Sequence, residues 1–348
     1  MKFTSLLPFF IAAHLGASVA HAITIDTVPV GNPGNAGELQ PQGTFGAVGY
    51  NYRIGTTEVT NAQYAEFLNG ADPAGANALE LYNSVMSSDA RGGINFNGGA
   101  ADGSKYEVRS GRDNNPVVFV SWYDSIRFAN WLHNGQGSGD TETGAYTLGS
   151  LGPYGIPLNG HSITRNACAQ WWLPSENEWY KAAYHKNDGA TGNYWDYPTS
   201  TDAVPFSDQP PGSGAPTQSN TANFFKYDSN ANGYDDGHAV TGSTSFVSAQ
   251  NYLTDVGVYT LSTSPYGTFD QGGNVWEWND SLSSLELRGL RGGSWDLSEN
   301  DPRASNRVIG NPGLENFLFG FRVASIPEPN TLLLGLLGSV LLVVRRSR

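Results

Sequence analysis

The chain has 348 residues and one cysteine, Cys168, so no intrachain disulfide can form and packed side chains must hold the fold. Charge is scarce at 15% of residues, and 32 Asp and Glu stand against 19 Lys and Arg, a net charge of −13. A surface of that sign repels phosphate backbones and argues against a nucleic-acid partner. The acidic surplus serves either divalent cations or solubility, and composition does not choose between them. Histidine is thin too. Beyond residue 22 only His133, His161, His185 and His238 occur, and none pair at H-x-x-x-H spacing. No nucleophile elbow, phosphate loop or internal repeat is present.

What is abundant is glycine, at 43 residues, and aromatic side chains, with 9 Trp, 17 Tyr and 16 Phe. Many glycines and aromatics with few charges point to a loop-rich globular fold of short strands; a disordered chain would show the reverse. The 39% hydrophobic content suffices for one large domain or two modest ones, and no linker divides the middle. Cys168 is expected to be buried and inert, because reactivity needs exposure and a depressed pKa.

Both ends read as processing signals. Lys2, an apolar run Phe3–Leu15 interrupted by Pro8, and Ala20-His21-Ala22 form the n-region, h-region and cleavage pattern of a secretory signal peptide over residues 1–22. At the other end, Pro327-Glu328-Pro329 precedes the uncharged segment Thr331–Val344 and the basic Arg345, Arg346 and Arg348. That run is marginal beside the roughly 20 apolar residues of a full span, and the arginines would stay cytoplasmic. An ordinary tail anchor is one reading. The order of motif, apolar helix (331–344) and basic tail resembles the PEP-CTERM sorting signal of Gram-negative bacteria over 326–348. The resemblance implies a transient inner-membrane anchor, processing by signal peptidase and an exosortase, and release to the cell surface or extracellular matrix.

In between, residues 23–49 are a leading loop segment rich in Gly, Pro and Asn. Arg53–Val59 alternates weakly, as a strand does. Thr60 can cap a helix from Asn61 to about Leu68. Residues 88–115 look like loop. Pro116–Val120 is a short apolar strand, and Ser121 with Asp124 caps a helix to His133. Its aromatic face, Trp122, Phe128 and Trp131, reads as core. Ser175-x-x-Glu178 is a capping box opening a helix to about His185, and both His133 and His185 suit a helix C-terminus. Residues 191–273 show little periodicity and read as long ordered loops with occasional strands, of the kind that carry function or are tied by a metal.

Several blocks, in order, resemble the formylglycine-generating enzyme (sulfatase-modifying factor) family. They are Thr57-Glu58-Val59-Thr60-Asn61-Ala62-Gln63-Tyr64, Pro116-Val117-Val118-Phe119-Val120-Ser121-Trp122-Tyr123-Asp124-Ser125 and Trp172-Leu173-Pro174-Ser175-Glu176-Asn177-Glu178-Trp179. Then come Gly273-Asn274-Val275-Trp276-Glu277-Trp278, Arg291-Gly292-Gly293-Ser294-Trp295 and Gly320-Phe321-Arg322-Val323-Ala324. The resemblance covers residues 50–325. It implies a single α/β (α+β) domain, related to C-type-lectin-like folds, with little regular secondary structure.

The same resemblance implies two calcium sites, one at Asn223, Phe224, Asp236 and His238, the other at Asp270, Asn274, Val275 and Glu277. Such segments offer the oxygens a hard cation wants. Asp228-x-Asn230-x-Asn232-Gly233 resembles the start of an EF-hand, but position twelve is Ala239, so an Asx-rich turn is the alternative. The family's copper chemistry needs two thiolates after the Arg-Gly-Gly-Ser block. Those positions are Leu297 and, approximately, Pro302. Copper and iron are therefore not expected, and no catalytic residue is assigned.

The function that follows is a calcium-stabilised module for an extracellular peptide or polysaccharide. Its ligand cleft would involve Trp276, Ser294, Trp295, Arg303 and Arg307, with the two arginines equally able to be structural. A metal-dependent oxidase of the same family, acting on a protein or small molecule, and a structural exopolysaccharide-matrix protein are the alternatives. Mass spectrometry of surface-released protein is expected to find Ile23 first and nothing beyond Pro329. An intact Arg348 on that material would contradict the sorting reading.

Overall fold

Three helices begin where their capping chemistry starts them. Thr60 Oγ1 accepts from the Gln63 N–H at 3.2 Å and the Thr60 N–H donates back to Gln63 Oε1 at 3.0 Å, which opens the helix Asn61–Ala71. Ser121 and Asp124 do the same for Trp122–His133, and Ser175 and Glu178 for Glu176–Tyr184. In this computed structural model the described residues are 22–210, 218–283 and 286–327. Among them a fourth helix, Val85–Ser88, is one turn long, and no helix is long and apolar enough to cross a membrane. The segments 1–21 and 328–348, which carry most of the two terminal signals, lie outside the described residues.

The helix Trp122–His133 is central. Every residue from Trp122 to Leu132 is buried, and Phe128 meets Tyr64, Phe67 and Phe321 with ring centroids 6.1, 5.3 and 5.3 Å away. The aromatic face is core, as its spacing predicts. Around it lie two four-stranded sheets. One has the order Thr27–Val30, Tyr52–Gly55, Ala324–Ser325, Trp171–Trp172, all antiparallel. The other has the order Val308–Gly310, Arg288–Arg291, Trp276–Leu282, Phe319–Gly320, with only the last pair parallel. The result is a mixed α/β fold, mostly sheet with few helices and much loop.

Several local expectations change. Pro116–Val120 is not a strand: Phe119 takes a left-handed φ of 61°, and the segment's N–H groups go to different places, Val117 to the Val59 carbonyl and Phe119 to that of Asn316. Residues 88–115 contain a hairpin, Ile94–Phe96 with Tyr106–Val108, and the leading segment contains Glu38–Gln40 with Gly43–Phe45. The strand at Arg53 stops at Gly55. Cys168 is exposed rather than buried, at a turn closed by the Ala169 N–H on the Asn166 carbonyl. His185 is no charged helix-end residue: burial lowers its pKa, and its Nδ1 accepts from the Asn187 N–H at 3.2 Å.

One buried acid pair links a cap to the C-terminal segment. Glu315 lies against the capping Asp124 and accepts from Asn83 Nδ2. Burial, then the neighbouring Asp124 charge, pushes the Glu315 carboxyl up from 4.5 to about 8. A raised acid holds in the folded state a proton that the unfolded chain has released. Its stabilising contribution is full below pH 4.5 and is lost as pH rises to about 8. Asp270 and Asp280, each pushed up to about 6 chiefly by burial, act only below that. Burial and the Asp270 charge raise Glu58 as well, so Glu315→Gln is expected to keep the fall in stability below about pH 6 and to lessen, without abolishing, the fall between 6 and 8, by up to roughly 1 kcal/mol per pH unit. Urea denaturation across that range checks it; an unchanged slope above pH 6 would contradict the assignment.

Candidate functional site

The blocks scattered along the sequence converge on one buried ion cluster. Glu277, in the strand Trp276–Leu282, and Arg322, just before Ala324–Ser325, are both fully buried. Arg322 Nε and Nη2 donate to the two Glu277 carboxylate oxygens at 2.6 and 2.7 Å. Its Nη1 donates to the Gly55 and Thr56 carbonyls at 3.0 and 3.4 Å, and Nη2 also reaches the Phe269 carbonyl at 2.9 Å. The guanidinium's five N–H donors thus have five acceptors. Trp179 Nε1 donates to Glu277 at 2.8 Å. Two further acids face the same cation. Glu58 Oε2 lies 3.9 Å from Arg322 Nη2 and has no hydrogen-bond partner, while Glu58 Oε1 accepts from Asn274 Nδ2 at 3.1 Å. Burial, then the Asp270 charge, raises the Glu58 carboxyl well above its usual range. Burial opposes the charge on Arg322 as well, but Glu277 outweighs it and the guanidinium's pKa is raised. Glu58 forms part of the wall of a 410 Å³ pocket with Thr57, Thr60, Gln63, Asn114 and Val256.

This arrangement decides how the two calcium sets stand. Among the described residues no group of three or more His, Cys, Asp or Glu side chains is placed to hold a metal, so any site must draw on amides and carbonyls. In the second set both Glu277 oxygens hold Arg322, Asn274 Oδ1 accepts from Asn223 Nδ2 at 3.1 Å, and Asp270 Oδ2 accepts from the Gly257 N–H at 2.6 Å. Val275 is buried in the core. A guanidinium already neutralises Glu277, so this set does not fit a divalent cation. The first set fits better. The Phe224 and Gly237 carbonyls converge on Ser207 Oγ at 2.6 and 3.1 Å, and one hydroxyl hydrogen cannot serve both fully. Asp235, buried nearby, is taken by Lys226 Nζ and the Ser207 N–H, both at 2.7 Å, while burial and the charges of Asp235 and Asp236 raise the buried Asp208 carboxyl. Asp236 Oδ2 accepts from the Gly233 N–H at 2.9 Å, and Asp228 Oδ1 from Asn230 at 2.7 Å. The EF-hand-like run is therefore a hairpin turn of Asx bonds between Phe225–Tyr227 and Asp236–His238.

The Arg-Gly-Gly-Ser block lies on the other side of Gly273 and Asn274, which turn in left-handed conformations at φ 89° and 57°. A side chain at Gly293 would come within 2.9 Å of Asp301 Cβ, so the glycine admits the loop that follows. In that loop Leu297 packs on the hydrophobic core, and the Pro302 carbonyl accepts from Tyr184 Oη at 3.0 Å. Neither position offers a donor for copper.

Of the expected cleft residues, three are buried. Trp276 is 3% exposed and Ser294 and Trp295 are at 0%. Arg307 bonds the buried Glu176 at 2.7 Å, while Arg303 is 38% exposed and pairs at the surface with Asp196 at 2.9 Å. What covers Ser294 and Trp295 is an aromatic wall. Trp295 stacks on Tyr252 at 4.6 Å and 6°, and His238 lies 4.5 Å from Tyr252 and 5.6 Å from Trp295. The Arg91 guanidinium sits 4.8 Å from Phe317 and 6.0 Å from Trp295. In this wall Trp295 Nε1, His238 Nδ1 and Arg91 Nε are buried without a hydrogen-bond partner, as is Ser294 Oγ on the residue next to Trp295.

Glu58, Trp179 and Arg322 lie inside the recognisable blocks, and asking which residue neutralises each block's charge would have found them. Arg91 and Tyr252 carry no local signal. Arg322→Met would strand Glu277, Glu58 and Asp270 without a counter-charge and is expected to cost about 3–5 kcal/mol. Trp179→Phe would remove one bond to a charged group, about 1.5–3 kcal/mol. Chemical denaturation of both variants checks the order; a milder loss for Arg322→Met would contradict it.

The model of the sulfatase-modifying factor enzyme 1-like domain matches residues 41–326. Among solved structures the chain is similar to CarF, at TM-score 0.50 and 20% identity, covering 88% of this chain and 100% of that one. It is also similar to PvdO from Pseudomonas aeruginosa, at TM-score 0.40 and 18% identity, covering 87% and 92%. At such identity these likenesses concern the fold alone. The serine/threonine-protein kinase pkn1 of Chlamydia caviae is 34% identical over 86 residues, 19% of this chain, and the chain spans only 14% of that protein's length. With its blocks joined at Glu277 and Arg322 and the domain model matched from residue 41 to 326, the chain belongs to the sulfatase-modifying factor enzyme 1-like (FGE-sulfatase) family.

Proposed function

We propose that this protein is an exported binding module which keeps its family's scaffold without the copper-thiolate oxidase chemistry. The observation that carries the reading is that Trp295 Nε1 and His238 Nδ1, on rings 5.6 Å apart in one aromatic wall, are buried without partners, with Ser294 Oγ likewise unpartnered on the adjoining residue. Buried polar groups without partners are uncommon because each costs about 1–3 kcal/mol, and a cluster of them beside stacked rings suits a ligand that supplies the missing bonds. Leu297 and Pro302, at the thiolate positions, argue against oxidation, and the exposed Cys168 is one thiol where two are needed. The ligand class under this reading is an extracellular peptide or polysaccharide. The terminal signals support delivery to the surface of a Gram-negative cell through signal peptidase and an exosortase, with a transient membrane anchor.

Calcium enters as a structural ion. Asn223 and Asp236, with the Phe224 and Gly237 carbonyls that meet at Ser207, are the residues that would hold it and tie the 191–273 loops. An ion present at about one hundred times its dissociation constant adds roughly 2.7 kcal/mol of stability. The melting temperature is accordingly expected to rise with excess Ca²⁺ and fall with chelator, and Asp236→Ala to abolish the difference. Equal melting points in both buffers would remove the calcium assignment.

Incubating the processed protein with copper, oxygen and a Cys-x-Pro-x-Arg peptide is expected to give no aldehyde by mass. Aldehyde that disappears in Cys168→Ala would make the protein an oxidase and overturn the binding reading.

A further inference from the structure

The aromatic wall has an outer ring that the protein supplies itself. The segment Ser243–Gln250 runs over it, and Phe246 is 51% exposed at its tip. The Phe246 ring lies nearly parallel to both inner rings, 5.8 Å and 19° from Tyr252 and 6.2 Å and 14° from Trp295. Few bonds fasten the segment to the body. The His238 N–H donates to the Ser243 carbonyl at 3.0 Å, the Val247 N–H to Tyr252 Oη at 2.8 Å, and Arg91 Nη1 to the Ser248 carbonyl at 2.7 Å. The base of the segment needs Gly237, where an added Cβ would meet the Ser243 backbone at 2.2 Å. Trp295 Nε1 and His238 Nδ1 belong to the wall itself, Ser294 Oγ to the residue beside Trp295, all three unpartnered, and Asp296 stands 4.0 Å from His238 Nδ1.

We propose that Phe246 occupies the place of a neutral saccharide ring. The segment Ser243–Gln250 swings out, and the sugar's apolar face takes over the contact with Tyr252 and Trp295. Its hydroxyls pair with Ser294 Oγ, Trp295 Nε1 and His238 Nδ1. The inference rests on the binding reading above and narrows it to one ligand class and one gate. Phe246 itself argues for a sugar over an aromatic side chain of a peptide. A hydrocarbon ring leaves all three polar atoms unsatisfied, whereas a hydroxylated ring can stack and also donate and accept. Neutrality follows from the charges. Asp296 is acidic, the chain carries −13, and the nearby cation Arg91 keeps its bond to Asp89 at 2.8 Å when the segment, with Ser248, moves away.

The test uses the full processed protein and a panel of neutral gluco-, manno- and galacto-hexaoses, with tryptophan fluorescence and calorimetry as readouts. If the closed segment dominates by about ten to one, Phe246→Ala binds its best sugar about tenfold more tightly than wild type. Ser294→Ala is expected to weaken that binding without lowering the melting temperature, because it deletes an atom that has no partner in the closed form. A purely structural Ser294 would instead move the melting temperature alone. Sugar binding that Ser294→Ala abolishes but Phe246→Ala leaves unchanged or weakens would overturn the gate while the binding reading survives. Failure of both proteins to bind any hexaose, with capture of an aromatic peptide dependent on Trp295, would overturn the saccharide and keep the module. Binding of neither class would overturn both.

Discussion

The buried Glu277–Arg322 pair is the interaction on which the rest of the structure depends. Removing two ions from water is expensive, and the cost is offset only if every donor and acceptor finds a partner. Arg322 meets that condition by drawing on Gly55, Thr56 and Phe269 as well as Glu277, and Glu277 by adding Trp179. Segments separated by as many as 267 positions must therefore arrive together. A hydrophobic contact could be met by several arrangements of loops; a fork of five directed bonds admits very few.

Three further buried arginines repeat the device at the edges of the core. Arg127 holds Glu142 and the Gly155 carbonyl, Arg288 holds Asp280 and the Ile163 carbonyl, and Arg291 holds Glu176 and the Ala304 carbonyl. Each ties irregular backbone to a strand or helix. In a chain with one thiol, these forks do the fastening that disulfides do elsewhere, and they allow long loops to be ordered without regular secondary structure.

The same logic separates scaffold from chemistry. The fasteners lie in the Thr-Glu-Val, Leu-Pro-Ser, Gly-Asn-Val-Trp-Glu-Trp and Gly-Phe-Arg blocks, whereas the positions where thiolates would stand belong to the loop after Gly293. That loop carries Leu297 against the core and the Pro302 carbonyl under Tyr184. Its side chains stand apart from the ion cluster, so the scaffold does not depend on what occupies those positions. Beside the loop stands a buried aromatic wall with unpaired polar atoms.

The sequence by itself determined the helix starts, because a capping box is a contact between residues three apart. Thr60, Ser121 and Ser175 could be read directly, as could the aromatic core face of Trp122–His133. It also determined, through ordered blocks, which family scaffold the chain builds, and through Leu297 and Pro302 that two thiols are missing. It did not determine the end of the strand at Gly55, the broken segment at Phe119 or the two extra hairpins, since a short strand exists only where a partner's edge is offered. Nor did it show that Glu277 serves Arg322 rather than a metal, that Cys168 is exposed, or that Phe246 covers Trp295. Those outcomes belong to the tertiary structure alone, because the partner that decides each one lies far away along the chain and only folding brings it within bonding distance.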